Sequence, residues 1–246
     1  MKFLKYLLLL FAIPAVAFGA AGAPVLYQVN GEAYEGYFVS PASRAPFVLL
    51  IHDWDGLTDY EIQRARMLAD LGYAVFAADL FGAGVRPTEV KDKRRLTGEL
   101  YQDRQKMRLL MKAALKAAEE QRAHIENGVA VGYCFGGAAV LELARSGENL
   151  KGFVTFHGGL QTPEGQNYTQ TRGEILILHG TADASVTMDH FAALARELES
   201  SHVVHEMITY SGAPHAFTVF NTDRYHESAD KKSWKRFQDF LADTLR

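Results

Sequence analysis

Cysteine is nearly absent from this sequence, since Cys134 is the only one among 246 residues. No disulfide can therefore form within the chain, which excludes a small fold stapled by disulfides. Metal-ligand motifs are absent too, because the nine histidines are scattered and none belongs to a His-x-x-Glu-His type of motif. We accordingly predict that the protein binds neither a metal ion nor another cofactor.

The sequence also lacks strong net charge and repetition. The formal net charge is −3 and no long basic run occurs, which argues against nucleic acid as a partner. There is no low-complexity tract and no repeat of fixed period. With 48% hydrophobic and 22% charged residues, a chain of this length suits one globular domain with a sizeable core.

Residues 1–23 have the pattern of a secretory signal peptide. Lys2 and Lys5 precede an apolar run over residues 7–17, and small side chains follow it. We expect cleavage within residues 19–23. Loss of the two lysines would change the formal net charge from −3 to −5.

The alternative for this segment is a retained membrane anchor, but its apolar run is short for a bilayer span, which favours cleavage. A lipoprotein is excluded because no cysteine lies near the cleavage site. The mature domain, residues 24–246, is then expected in the periplasm or outside the cell, without a stable membrane anchor. An unpaired thiol in such an oxidising place mildly favours a functional role.

Apolar runs that predict buried strands alternate with patterns that predict helices. The runs are 47–51, 73–79, 128–131, 153–156 and 175–178. Alternation of this kind predicts an α/β fold with a doubly wound, mostly parallel sheet, whose ligands bind at the carboxyl ends of the strands. Residues 25–39 predict a hairpin around Asn30-Gly31, which would add an antiparallel N-terminal edge.

A Gly-x-Cys-x-Gly motif follows one of these strands and precedes a predicted helix. Cys134 is flanked at two residues on either side by Gly132 and Gly136. Such a sharp strand-to-helix turn leaves no room for Cβ atoms at the two glycines, and the N-terminus of the helix favours a thiolate. The motif predicts a nucleophile elbow. A small buried hydrophobic residue is the alternative for Cys134.

A weak thiol nucleophile needs a base, and the base needs a group that orients it. After Cys134 the chain has Asp183, then His215 in a Gly/Pro loop, and each of the three follows a predicted strand. Cysteine, acid, histidine is the chain order of the α/β-hydrolase plan. We therefore predict a catalytic triad. Alternatively Asp183 could be a helix cap and His215 an exposed bystander.

On these motifs the chain resembles the dienelactone hydrolase family, which has the α/β-hydrolase fold. The motifs that carry the resemblance are 132–137, 179–183, 214–217 and 51–56. The resemblance covers essentially the whole chain after the signal peptide. It implies hydrolysis of small-molecule lactones or activated esters through a thioester acyl-enzyme.

The resemblance also implies a role for each residue of the site. Cys134 would attack the carbonyl, His215 would carry protons, and Asp183 would fix the tautomer of His215. The backbone N–H groups of Phe135 and Trp54 would form the oxyanion hole.

Two features depart from the family pattern. Asp53 stands where family members have a glutamate that helps to activate the cysteine, and it is one methylene shorter; it could instead cap its loop. No arginine occurs in residues 216–220, where dienelactone-specific enzymes bind the substrate carboxylate. Arg104 and Arg108 could supply positive charge or simply face solvent. A strict dienelactone substrate is therefore not expected.

Two further residues, Tyr133 and His157, are expected to line the substrate pocket. The sequence leaves other functions open besides an ester or lactone hydrolase. A thioesterase or acyltransferase could use the same triad, and a non-catalytic small-molecule-binding protein could keep the fold. A complete set of triad residues weighs against the last of these.

Overall fold

The structure is a computed structural model that describes residues 21–245. Residues 1–20 of the predicted signal peptide lie outside the described residues, so the signal peptide stays a prediction. Among the described residues, no helix combines the length and the apolar character needed to cross a membrane.

Eight strands form one sheet in the described part of the chain, in the spatial order β1-β2-β4-β3-β5-β6-β7-β8. The strands are β1 (Ala23–Val29), β2 (Glu32–Val39), β3 (Pro46–Ile51), β4 (Ala74–Ala78), β5 (His124–Tyr133), β6 (Gly152–Phe156), β7 (Glu174–Gly180) and β8 (His205–Tyr210). The six strands from β3 to β8 pair in parallel, and β1 and β2 are antiparallel. The predicted doubly wound sheet with an antiparallel N-terminal edge is thus confirmed.

Helices cover both faces of this sheet. They are α1 (Asp59–Asp70), α2 (Val90–Gln102), α3 (Arg104–Glu120), α4 (Phe135–Arg145), α5 (Met188–Ser200) and α6 (Glu227–Thr244). Apolar side chains of α1 and α6 pack in the core on one face, and those of α2 to α5 pack on the other. Strands β3, β4 and β6 are covered on both faces of the sheet. Their sequences are therefore continuous apolar runs and do not alternate between apolar and polar residues.

Two helical boundaries differ from the sequence prediction. The predicted helical region 89–123 is two helices, separated at Asp103, whose carboxylate accepts a hydrogen bond from the Lys106 backbone N–H at 2.8 Å and so begins α3. The last helix begins at Glu227, seven residues before the predicted start at Trp234. Its first turns are polar, so an apolar pattern does not mark them, and the His226 side chain caps them.

The turn between β5 and α4 brings backbone atoms into close contact. A Cβ at Gly132 would lie 2.1 Å from the Gly136 carbonyl oxygen, and one at Gly136 would lie 2.4 Å from the Ile51 carbonyl oxygen. Both distances are far inside van der Waals contact, and backbone atoms cannot move aside cheaply. Glycine at these positions is what allows α4 to start against β3, directly beside the carboxyl end of the sheet.

We predict that Gly136→Ala lowers the free energy of unfolding by about 1–3 kcal/mol, because the added methyl group overlaps backbone. Gly98→Ala is the matched control. Gly98 lies inside α2, where a Cβ meets no atom within 4 Å, and this change should raise the free energy of unfolding by about 0.5–1 kcal/mol. Urea denaturation measures both. Equal stability of Gly136→Ala and the unchanged protein would contradict the close packing of the turn.

Candidate active site

Cys134 sits at the strained point of the turn. Its backbone has φ 50° and ψ −112°, values that a non-glycine residue rarely adopts. Its N–H donates to the Phe156 carbonyl oxygen at 3.1 Å, which ties the turn to β6. The strain is stored at the residue that the sequence marks as the nucleophile, and it leaves the thiol partly exposed at the edge of the sheet.

Three loops bring Cys134, His215 and Asp183 into one hydrogen-bonded row. The loops follow β5, β8 and β7, whose carboxyl ends lie at the same edge of the sheet. His215 Nε2 lies 3.1 Å from Cys134 Sγ, and His215 Nδ1 lies 2.7 Å from Asp183 Oδ2. These are the distances that a nucleophile, a base and an orienting carboxylate require.

Asp183 is held so that one of its oxygens faces His215. Its other oxygen, Oδ1, accepts backbone N–H groups of Ser185 and Val186, each at 2.8 Å. Burial alone would raise the pKa of this carboxyl, but the hydrogen bonds from His215, Val186 and Ser185 lower the pKa below its usual value. Asp183 therefore stays ionised and accepts Nδ1–H of His215, so that Nε2 faces the thiol with its lone pair.

Asp53 lies beside the thiol in spite of its short side chain. Its carboxyl is within hydrogen-bonding reach of Cys134 and also accepts the backbone N–H of Trp54. Burial, followed by the charge of Asp55 on the same loop, raises the pKa of Asp53 to about 6. Above that pH a carboxylate stands next to the sulfur.

The surroundings of Cys134 keep its thiol neutral. Burial raises its pKa well above the ordinary value, and the negative charge of Asp53 raises it further. The Phe135 backbone N–H and the positive charge of Arg224 act in the opposite direction. Because desolvation and Asp53 dominate, the thiol is protonated in the resting protein, and His215 Nε2, 3.1 Å from the sulfur, is placed to accept its proton.

Both predicted oxyanion donors lie next to Cys134 but are engaged in this state. The Trp54 N–H donates to Asp53, and the Phe135 N–H hydrogen-bonds to the sulfur. A substrate carbonyl oxygen can accept a hydrogen bond from the Trp54 N–H only after the hydrogen bond between that N–H and the Asp53 carboxylate is broken. The predicted oxyanion site and Asp53 would therefore share one donor, the Trp54 N–H.

Tyr133 does not line the pocket, which corrects the sequence expectation. Its side chain is fully buried and packs against Phe156 and Tyr60, at 4.8 and 5.3 Å between ring centroids. Neighbouring residues of a strand point to opposite faces of a sheet. Tyr133 thus faces α1 and α6, while the next residue, Cys134, is at the open edge.

His157 is also absent from the pocket surface, a second correction. The residue directly follows β6 and is fully buried. Its Nε2 lies 2.8 Å from Thr218 Oγ1, and its ring meets that of His215 edge to face at 5.5 Å. It supports His215 from within the protein and has no contact with solvent.

The two arginines considered for substrate binding are paired with a buried glutamate instead. Arg108 approaches Glu142 Oε1 to 2.5 Å, and Arg104 approaches Glu142 Oε2 to 3.8 Å. Glu142 of α4 is fully buried and also pairs with Arg145. The position of these two arginines thus matches neither of the alternatives suggested by the sequence, a substrate-binding role or a solvated surface.

Sequence reasoning missed Arg224, an exposed residue nine positions after His215 whose charge acts on Cys134 and His157. No motif marks it, because it follows the histidine at a longer spacing than the stretch where an arginine was sought. Tyr101 was missed as well. Its ring lies 5.5 Å from that of Phe135 beside the elbow.

The described residues contain no group of three or more His, Cys, Asp or Glu side chains that could hold a metal ion.

An eight-stranded, mostly parallel sheet with a strained nucleophile elbow at its carboxyl edge defines an α/β-hydrolase fold. The model of the dienelactone hydrolase family matches residues 34–245. The chain belongs to the dienelactone hydrolase family and is thus a hydrolase of esters or lactones.

Relatives agree with this assignment. A crystal structure of the dienelactone hydrolase-like promiscuous phosphotriesterase P91, from metagenomic libraries, is 29% identical, with a TM-score of 0.86 over 92% of this chain and 99% of that one. The structure named m3DLH is 30% identical, also with a TM-score of 0.86, over 93% of this chain and all of its own. A human carboxymethylenebutenolidase homolog is 25% identical over 77% of this chain and 78% of its length.

We predict that Asp53→Asn makes Cys134 react faster with iodoacetamide, by about three- to tenfold at pH 7. The near-isosteric change removes the negative charge that raises the pKa of the thiol. Since Asp53 itself has a pKa of about 6, the difference should be small below that pH and grow above it. Alkylation rates from about pH 5 to 9, followed by mass spectrometry, measure the effect.

Arg224→Gln supplies a control of opposite sign. It removes a positive charge that lowers the pKa of Cys134, so alkylation should slow down. Arg196→Gln changes an exposed arginine on α5 and should leave the rate unchanged. Identical rates for the unchanged protein and Asp53→Asn over the whole pH range would leave Asp53 with a role in ordering its loop only.

Proposed function

We propose that the protein hydrolyses carboxylic esters or lactones by nucleophilic catalysis with Cys134, His215 and Asp183. The observation that carries the proposal is the hydrogen-bonded row from the thiol through the imidazole to the carboxylate, at 3.1 and 2.7 Å. Each member follows a different strand, so the row exists only in the folded protein.

The acylation half of the reaction follows from the geometry. His215 Nε2 accepts the thiol proton while the sulfur bonds to the carbonyl carbon, and the carbonyl π electrons move to its oxygen. Collapse of this tetrahedral species breaks the bond to the alkoxy oxygen, which takes the proton from His215. The products are a thioester on Cys134 and the free alcohol, or the opened ring of a lactone.

Deacylation repeats the steps with water. His215 removes a proton from the water as its oxygen attacks the thioester carbon, and the sulfur leaves with that proton as a neutral thiol. Asp183, whose pKa is lowered by its hydrogen bonds, stabilises the imidazolium in both halves by accepting Nδ1–H.

Asp53 would couple the resting thiol to the oxyanion site. The carboxylate holds the Trp54 N–H and raises the pKa of the thiol in the resting protein. A substrate carbonyl oxygen that takes over the Trp54 N–H would displace Asp53 from it, and the Phe135 N–H would be the second donor. The neutral resting thiol would also resist oxidation, since the thiolate is the species that oxidises.

Phosphotriester hydrolysis is a second candidate activity. It is favoured by the similarity to P91, which is described as a promiscuous phosphotriesterase. The same thiol and base would serve, with phosphorus in place of the carbonyl carbon. A thioesterase or acyltransferase would differ from the ester hydrolase only in the group that leaves or attacks, and a thioester substrate distinguishes it.

We further propose that the protein is exported and acts in the periplasm or outside the cell. The support is the sequence of residues 1–23, with Lys2 and Lys5 before a short apolar run and small residues after it.

We predict that Cys134→Ala lowers the turnover of p-nitrophenyl acetate by on the order of 10³-fold or more, because the covalent path is closed. In the unchanged protein, acid quenching during turnover should trap an acyl group on Cys134 that hydroxylamine removes. Intact-mass spectrometry detects it. A p-nitrophenyl phosphotriester and a thioester, assayed in parallel, test the second candidate and the thioesterase alternative.

Circular dichroism of Cys134→Ala provides the control for folding. A folded variant that keeps near-normal turnover would show that Cys134 is a core residue and would contradict the proposed mechanism.

For the exported form, N-terminal sequencing of protein from the envelope and medium should give a first residue within 20–24, after cleavage in the small-residue stretch. Deleting residues 2–20 should leave the protein in the cytoplasm. Protein that begins with Met1 in a membrane fraction would show a retained anchor instead.

A further inference from the structure

A chain of buried polar side chains lies behind His215, and the proposed reaction does not use it. Its first member is His157, whose ring packs against the His215 ring at 5.5 Å with 67° between the planes. His157 Nε2 lies 2.8 Å from the hydroxyl of Thr218, which is on the same loop as His215, three residues further along. Both side chains are fully buried.

This polar chain continues from the loop that bears Thr218 to helix α1. The Thr218 hydroxyl lies 2.6 Å from the Tyr60 hydroxyl, and Arg64 Nε donates to the Tyr60 hydroxyl at 3.3 Å. A second nitrogen of Arg64 donates to the Thr218 carbonyl oxygen at 2.9 Å. Arg64 therefore holds both ends of the Tyr60–Thr218 pair and fixes the histidine loop to the helix.

Arg64 itself has little freedom to move. Its side chain is 1% exposed and pairs with Asp230 of α6 at 2.5 Å. The guanidinium also lies 4.3 Å from the centre of the Phe220 ring and 4.9 Å from that of Trp234. A cation in this position is strongly constrained by its ion pair and by the aromatic faces.

The Arg64 guanidinium can only donate hydrogen bonds, which gives the polar chain a donor-to-acceptor direction that starts at Arg64. The Tyr60 oxygen accepts from Arg64, and burial raises the pKa of Tyr60 well above its ordinary value, so the hydroxyl keeps its proton. The short contact of that hydroxyl with Thr218 Oγ1, at 2.6 Å, favours an arrangement in which Tyr60 donates to Thr218 and Thr218 donates to His157 Nε2. In this arrangement the neutral His157 ring carries its proton at Nδ1.

The His157 ring is kept neutral as well as oriented. Burial lowers its pKa well below the ordinary value, and the charges of His215 and Arg64 lower it further. An imidazole whose pKa is lowered in this way does not compete for the proton that His215 takes from the thiol. The backbone of His157 has φ 40°, a left-handed conformation in which a non-glycine side chain is strained, as expected where the surroundings dictate the side-chain position.

We propose that Tyr60 and Thr218, directed by Arg64, are positioning residues that hold His157 as a neutral Nδ1–H imidazole beneath the His215 ring and thereby keep His215 aligned with Cys134. The proposal rests on the proposed function for the role of His215. The tautomer of His157 is a separate quantity, and it can be measured without any substrate.

The first experiment is long-range ¹H–¹⁵N NMR of the protein labelled in its histidine rings, which distinguishes the two neutral tautomers. His157 should show the Nδ1–H tautomer from about pH 5 to 9, without titrating, because burial lowers its pKa well below the ordinary value. The ring signals that disappear in the His157→Asn variant are those of His157. In Thr218→Val the preference should be lost, since Nε2 no longer has a donor. A wild-type His157 that carries its proton at Nε2, or that becomes charged within this range, would overturn the proposal.

The second experiment measures turnover of a p-nitrophenyl ester. Thr218→Val and Tyr60→Phe should each lower kcat by about 10- to 100-fold through misplacement of His215, with KM changed by no more than about twofold. Thr218→Ser keeps the hydroxyl and should restore kcat to within about twofold. Thr222→Val is the matched control. Its hydroxyl donates only to a local carbonyl, that of Val219, so kcat should not change.

The outcomes separate this proposal from the proposed function. Unchanged kcat in Thr218→Val, or a loss that Thr218→Ser fails to restore, would overturn the positioning role even if Cys134→Ala is inactive. If Cys134→Ala keeps its activity, the proposed function fails. The tautomer of His157 then still shows whether the hydrogen bonds run from Arg64 through Tyr60 and Thr218 to His157. If Tyr60→Phe does not fold, Thr218→Val and the wild-type NMR spectrum give the answer.

Discussion

The close contact between the start of α4 and the end of β3 is the constraint on which the site depends. A Cβ at Gly136 would stand 2.4 Å from the Ile51 carbonyl oxygen. Because this contact is allowed only for glycine, the turn can be sharp enough to place Cys134 at φ 50° on the open edge of the sheet. The same contact brings the loop after β3, with Asp53 and Trp54, beside the sulfur.

Around the sulfur, burial and charge act against the thiolate. Desolvation and Asp53 raise the pKa of Cys134, and the Phe135 N–H and Arg224 offset only part of that effect. In the proposed mechanism, the ionisation that nucleophilic attack needs must therefore come from His215, which is oriented by its hydrogen bond with Asp183. A neutral thiol that is activated by substrate and base suits the oxidising compartment proposed from the N-terminal sequence.

The mostly parallel sheet, the antiparallel edge and the elbow were predictable because each has a local pattern. The Asn30-Gly31 pair indicates its own turn, and continuous apolar runs indicate parallel strands covered on both faces. The first turns of α6 were missed since they are polar, and their cap at His226 is not a residue type that usually marks a helix start. Tyr133 was misplaced because adjacency to the nucleophile in sequence does not decide the face of the sheet. His157 was misplaced because a residue that follows a strand at the carboxyl edge can still be fully buried.

The sequence alone determined the order of cysteine, acid and histidine, and the loop that bears each one. These properties follow from short-range pattern and from the rule that parallel strands end at one edge. Only the tertiary structure decided which side chains meet. It pairs Arg104 and Arg108 with Glu142, places Asp53 beside the thiol, and brings the charge of Arg224 near enough to lower the pKa of the thiol. The physical reason is that burial and charge act through space, between residues whose separation along the chain carries no signal of their proximity.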